Sequence, residues 1–535
     1  MARSITGGGC PCATTPAVPG DSPREDVLKT ELALCFEKAS REFLAGVRNP
    51  VNATAGLDAN TEASSEAECA SSPLCRRHES ALCDASRPYR EADGRCNNLE
   101  HPEWGAAGAC MQRLLSPAYA DGVSSPRVSA KSGRALPSAR RVSYTVHPER
   151  TFYDESWSAM TVHFAQFIAH DISAALVVDP GGPEFSKNLG RDTYKCCDEE
   201  YVRSGPECFP IDVGAEDPFY GRYNVRCMNF KRSAPCLKCR LADIQLSDYY
   251  FTSRAVFKIY KQIIFRFSYV RWLLKEQLIN HSRLLPPSSN PQIDQCSKQR
   301  EHRFCFEGGD HRVNQNSGLL MMHTIWFREH NRVARKLARI NPHWDDERLF
   351  QVSRRIVEAR LQHIVYKELL KYVLGPKGVK QNKLNPLTVG YTTYDAGVDA
   401  TVYNDFTTAA FRMGHSLIDA DNETMCLPGN RKLSLPLRHN WFNPFAFYEA
   451  DVVDAVTGSR LRKPSQQMDR QGYGTYDVTR HAFRVPNGPK PFGVDLFAFD
   501  IQRGRDHGLR PYVDYATKCT PGVSLGRYER RRYPK

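Results

Sequence analysis

The sequence predicts a mainly α-helical fold with few short strands, and three observations carry that reading. Apolar residues recur at helical spacing in four separate stretches. Convincing strand alternation is scarce along the whole chain. The 535 residues are 41% hydrophobic and 25% charged, an ordinary globular composition able to bury a sizeable core.

The elements follow in chain order. Residues 1–88 are a leader- or propeptide-like segment: the first 80 are rich in Ala, Gly, Ser, Pro and Glu, too poor in large apolar groups to order strongly. Met1–Gly20 lacks an apolar core of the kind a signal peptide needs. From about Tyr89 the texture becomes globular, and 89–535 is read as one domain without internal repeats. Residues 156–172 carry Met160, Phe164, Phe167, Ile168 and Ile172 at helical spacing, with Asp154 or Ser156 as N-cap. Their opposite stripe is His163, Gln166 and His170. Residues 318–340 present Leu319, Met322, Trp326, Val333 and Leu337 on one helical face. A long pattern over 346–374 stops at Gly375-Pro376, and 399–418 forms a further helix. No run of about 20 uncharged apolar residues exists, so no membrane span is expected.

The net charge is +13. That suits contact with extracellular matrix or another polyanion, and equally a solvated basic surface. No nucleic-acid recognition module is visible, so no nucleic-acid partner is expected. Eighteen cysteines are scattered along the chain. Cys236 and Cys239 have metal-finger spacing but lack a second pair, so the set reads mainly as disulfides of an oxidising compartment. Sequons at Asn52, Asn280 and Asn422 fit a secreted glycoprotein.

Three residues stand out for chemistry: His170 near a helix end, Arg312 just before a helix, and His415 in AAFRMGHSLI. Each alone is weak, since a lone helical histidine is usually structural. Together they resemble a family. FAQFIAHD (164–171) resembles the distal-histidine motif of animal haem peroxidases, and HRVNQ followed by MMHTIWFREHNR (311–332) their catalytic-arginine segment. FRMGHSLI (411–418) resembles the proximal-histidine segment, and DLFAFDIQRGRDHGL (495–509) is similar to a signature stretch. GRCNNLEHPEWG (94–105), LLSPAYADGVSSPR (114–127) and the stretch from CFPIDV to RCMNF (208–230) match further segments, all in family order. The similarity is greatest to the arthropod branch, which includes chorion peroxidase and peroxinectin.

The resemblance implies a fold with haem between core helices and a peroxidase acting on hydrogen peroxide. His415 is then the axial ligand of the haem iron. His170 is the general base and acid for peroxide, kept neutral by Arg312, which stabilises charge as the O–O bond breaks. Gln166 lies one turn before His170 and faces the same pocket; its bland alternative is a polar residue on a wet face. Arg412 and Arg503 match haem-pocket arginines, Arg503 toward a propionate. Asp171 matches a calcium ligand, or else binds backbone at a helix end. The donor would be a phenol, a tyrosyl group or a halide, with extracellular protein cross-linking as one setting.

Several positions depart from the family. Its two ester-forming carboxylates fall at Ala169 and Gln315, so haem b without ester links is expected, with chloride oxidation disfavoured. Asp500 stands where the family has an asparagine; a carboxylate accepting the Nδ1–H of His415 makes the imidazole a stronger donor. The family's calcium loop is replaced by FTSRAVFKIYKQIIFRFSYVRW (251–272), which puts calcium in question. That stretch suits a divergent core helix, a faulty gene model or a membrane-surface helix. Family members also continue for several helices past the point matching Lys535. By resemblance, Cys296 pairs with Cys305. The competing readings are a peroxidase-fold adhesion or signalling protein with little activity, and a cysteine-rich matrix protein.

Overall fold

The computed structural model describes most of residues 83–519; residues 1–82, 108, 123, 131, 174–195, 198–207, 234–272, 289–295, 297–302, 421–423, 469–473, 486–487, 489 and 520–535 lie outside the described residues. Residues 1–82 of the expected leader, the 251–272 stretch, Cys236, Cys239, Asn52 and Asn422 therefore fall outside them, while residues 83–88 are described and Cys83 is bonded to Cys96.

Helices dominate. In chain order they include α1 (Ala139–Val146), α2 (Met160–Ile172), α3 (Ser317–Ile340), α4 (Asp346–Ile364) and α5 (Leu370–Gln381). After α6 (Asn404–Thr408) comes a 3-10 turn (Ala410–Leu417), then α7 (Leu437–Asn440), α8 (Val452–Arg462), α9 (Tyr476–Thr479), α10 (Leu496–Asp506) and α11 (Tyr512–Cys519). The described strands form four antiparallel pairs: β1 (Tyr153–Ser158) with β8 (Pro464–Gln466), β2 (Ile211–Asp212) with β3 (Cys227–Met228), β4 (Gln277–Ile279) with β5 (Ser282–Leu284), and β6 (Thr424–Leu427) with β7 (Arg431–Ser434).

Helix α3 is the axis of the core. Asn316 caps it by accepting from Leu319 N at 2.8 Å. Its first turns are buried all round, with Leu319, Leu320, Met321 and Phe327 at or below 1% exposure. Such a helix has to be covered on several sides, and α2, α4 and α8 pack against it. Each fully buried side chain of this size contributes roughly 1.5–3 kcal/mol of transfer free energy. Phe164 and Phe167 of α2 enter the same cluster.

Two expected boundaries change, and one holds. Residues 156–158, expected to open α2, belong instead to the strand 153–158, because it finds a partner in 464–466; α2 begins at Met160 with Ala159 as an N-cap that makes no side-chain bond. The 346–374 pattern breaks where expected: it passes through a π turn (Val365–Leu369) into α5, whose helical path is interrupted at Gly375 (φ +69°, ψ 162°) just before Pro376. The 399–418 helix is broken at Ala409 (φ −128°, ψ −66°), leaving short α6 and the 3-10 turn that carries His415.

Buried charge ties the C-terminal side together. Arg140 of α1 donates to Asp217 (2.7 Å) and Asp495 (2.6 Å), and Asp495 caps α10 through Ala498 N. Burial raises the Asp495 carboxyl, and Arg140 opposes but does not cancel that effect. Arg232 pairs with Asp506 at the other end of α10. Removing one partner of such a buried pair typically costs about 3–5 kcal/mol. α10 is thus clamped at both ends, and it carries Asp500 between them.

The disulfides among the described residues are Cys83–Cys96, Cys196–Cys208, Cys197–Cys227 and Cys296–Cys305, the last as the resemblance implied. No described helix is long and apolar enough to cross a membrane.

Candidate active site

His163 and Gln166 of the polar stripe of α2, with the His170 carbonyl, meet one continuous segment, residues 312–318. His163 lies against the first turn of α3: a Cβ on Gly318 would sit 2.1 Å from its Nδ1, so only glycine allows this approach. Burial, together with the charges of Arg460 and Lys463, lowers the His163 pKa to about 3, so the ring is neutral near pH 7. One turn on, Gln166 Nε2 donates to Gln315 Oε1 and Asn316 Nδ2 donates to Gln166 Oε1, both at 3.1 Å. At the C-terminal end, Arg312 Nη2 donates to the carbonyls of His170 (2.9 Å) and Ser173 (3.1 Å). The guanidinium therefore serves carbonyls that a helix end leaves unsatisfied.

Arg312 is held from behind by Asp310, whose carboxylate accepts from its Nε (2.9 Å) and Nη2 (2.7 Å). Asp310 is 1% exposed, and its Oδ1 also accepts from Arg312 N. The hydrogen bonds of the Arg312 side chain to described residues use Nε and Nη2, not Nη1. The loop bearing this arginine is closed by Asn314, which exchanges two hydrogen bonds with the backbone of Phe306 (3.0 and 2.9 Å). Cys305, next to Phe306, is bonded to Cys296.

The 3-10 turn that carries His415 packs against both α2 and α10. Its His415 Nδ1 lies 2.5 Å from Asp500 Oδ2, and Arg412 Nη1 donates to Asp500 Oδ1 at 2.9 Å. One carboxylate thus joins two of the sequence-selected residues. Burial would raise Asp500; the His415 ring and then Arg412 outweigh it and hold the carboxyl below its usual range. With Nδ1–H donated to Asp500, Nε2 is the imidazole atom able to ligate a metal.

Two features bear on whether a haem fits. A neutral imidazole oriented by a carboxylate is the donor a ferric porphyrin needs. Arg412 Nε is buried without a hydrogen-bond partner among the described residues, which suits an anionic edge such as a propionate. The residues present fit the group. Arg503 is engaged differently: its Nη1 donates to Lys231 O, Ser233 Oγ and Asp506, and its guanidinium lies 4.2 Å from the Phe230 ring centre. Asp171 follows His170 at the end of α2, but no group of three or more His, Cys, Asp or Glu that could hold a metal ion occurs among the described residues.

The family model for animal haem peroxidase matches residues 89–523. The chain belongs to the animal haem peroxidase family. It is 35% identical to a chorion peroxidase of Aedes aegypti over 448 residues, covering 81% of this chain and 54% of that one. It is 33% identical to the human peroxidasin homolog over 465 residues, covering 81% of this chain and 30% of that one. Among solved structures, peroxidase A of Dictyostelium discoideum aligns with a TM-score of 0.60 at 22% identity, covering 84% of each chain, which supports the peroxidase fold. The chain thus spans about half the length of the chorion peroxidase it matches.

Sequence reasoning missed Asp310 and Asn316. Asn316 carried a usable signal, a capping residue three before Leu319. Asp310 carried only its closeness to Arg312.

Proposed function

We propose that this chain is a haem peroxidase that reduces hydrogen peroxide and oxidises phenolic or tyrosyl donors, with extracellular protein cross-linking as its setting. One observation carries the proposal: His415 is oriented by a carboxylate on a turn packed against the helix that bears His170.

Haem, when bound, supplies the redox chemistry. His415 holds the group through Nε2, with Asp500 fixing the ring and Arg412 fixing Asp500. His170 takes the proton of incoming peroxide and returns it to the departing oxygen. Arg312, steadied by Asp310, offers Nη1 to the developing negative charge. Gln166, oriented by Gln315 and Asn316, supplies a fixed amide beside that oxygen. Arg503 would reach a propionate only by giving up its bond to Asp506. Ala169 and Gln315 lack the carboxylates that esters require, so haem b is held by ligation and packing alone. Without the ester links the group would be a weaker oxidant, which favours phenols over chloride as donor. The disulfide-bonded cysteines and the exposed Asn280 of an N-x-S sequon are in keeping with secretion.

The test is a spectrum of the purified chain with and without peroxide and a phenol. A Soret band with peroxide-dependent phenol oxidation is expected. Haem without turnover would favour an adhesion protein on this fold, and no haem would overturn the reading. Calcium measured on the same preparation decides whether Asp171 belongs to a metal site.

A further inference from the structure

A groove of about 920 Å³ lies on the outer face of α3 and α4, bounded by the β4–β5 hairpin. Its floor residue, Trp326, is ten residues along α3 from Asn316, about 15 Å from the Gln166 cluster at 1.5 Å per residue. It is a separate place in the fold.

The groove combines two chemistries. Half-buried Ile325, Ile356 and Ile364 line it, together with Trp326, which is 7% exposed. Trp326 Nε1 is a buried donor with no hydrogen-bond partner among the described residues. Around this apolar floor stand five arginines: Arg283, Arg328, Arg332, Arg335 and Arg360. Two carboxylates serve four of them. Glu276 pairs with Arg283 and Arg335, and Glu329 with Arg332 and Arg360. Arg328 donates through Nε to the Arg283 carbonyl at 2.7 Å, and its ion-pair partner among the described residues is Asp454, 3.8 Å away and 82% exposed. Burial of Arg328 lowers its affinity for its proton although Asp454 and Glu276 oppose the shift, the mark of a partly desolvated cation.

We propose that this groove binds a single-headed amphipathic carboxylate. The apolar chain or ring would cover the isoleucines, and the head would accept from Arg328 and from the arginines sharing Glu329. The volume lies in the range of small-molecule pockets. A sulfated polysaccharide would meet the arginines but leave the apolar floor uncovered, and an uncharged lipid would leave the excess cations unmatched. The binding would not depend on haem.

The test uses the full chain and decanoate as probe, read by calorimetry and by Trp fluorescence. One saturable site is expected for decanoate, with 1-decanol at least tenfold weaker. Arg328→Gln combined with Arg332→Gln should weaken decanoate by about tenfold or more, as expected for loss of charge-assisted hydrogen bonds, with phenol oxidation unchanged. Should that double variant melt early, Ala359→Glu, at an exposed helical position lining the groove, should abolish decanoate binding while leaving the fold intact. Equal binding of decanol, or decanoate binding indifferent to all three substitutions, would overturn the proposal. So would a heparin hexasaccharide that binds the groove where decanoate does not.

Discussion

The two sides of the candidate site are built on different principles. On the His415 side, side chains hold side chains: one carboxylate, Asp500, joins an imidazole and a guanidinium, and α10 beneath it is clamped by buried ion pairs. On the His170 side, the charged group holds backbone: Arg312 binds the carbonyls that end α2, and amides fix Gln166. In the proposed function the first arrangement tunes His415 as a ligand through one charged bond. The second couples the position of His170, the proposed proton-transfer residue, to the integrity of a helix end. Damage to the first should change how strongly a haem is held and its potential. Damage to the second should change the rate of the peroxide step.

The strongest way to break this contrast is His170→Ala. It should slow the peroxide step by about 10²–10⁴-fold while the Soret band persists. His415→Ala should instead lose the haem; equal haem retention in both variants would erase the distinction. Next comes Arg312→Gln, expected to cost about 10²-fold in the same step, the scale of one lost electrostatic donor. Because it also releases two helix-end carbonyls, hydrogen exchange at the end of α2 should rise, and unchanged exchange would contradict the backbone role. Asp500→Asn should lower activity by roughly 10-fold and raise the Fe(III)/Fe(II) potential; an unaltered potential would show that the carboxylate does not tune His415. At the level of attachment, acid-solvent extraction should remove all haem from the native chain, and Gln315→Glu should leave part of it behind. The smallest effect concerns pH. His163 is neutral in the fold with a pKa near 3, against an ordinary value of 6.5. Between those values the unfolded chain binds more protons, so this residue costs stability as pH falls from about 6.5 toward 3 and nothing above that window. His163→Gln should flatten the acid side of the stability profile, at a packing cost of about 1–2 kcal/mol at pH 7.

How much of this was legible depends on where each partner lies. Helix α3 could be read because its apolar face repeats over six turns, and its observed limits differ from the expected ones by one residue. The roles proposed for His170, Arg312 and His415 come only from ordered motifs, since periodicity says nothing about a ligand. The strand at 153–158 could not, because its pairing partner is some 310 residues away and local propensity favoured extending α2. The 3-10 form of 410–417 escaped for a similar reason: contacts with α2 and α10 tighten that turn, not its own composition. Asp500 beside His415 was reached from a departure at one motif position. The twin bonds of Arg312 to carbonyls were not reached at all, because every residue carries a carbonyl and sequence does not mark which ones go unserved.

One covalent link gives the distal arginine an address. The Arg312 loop begins beside Cys305, and its bond to Cys296 is of a kind kept in oxidising surroundings. Reduction of that bond would take a strut from under the Arg312 guanidinium, so the geometry of the loop is tied to the redox state around it.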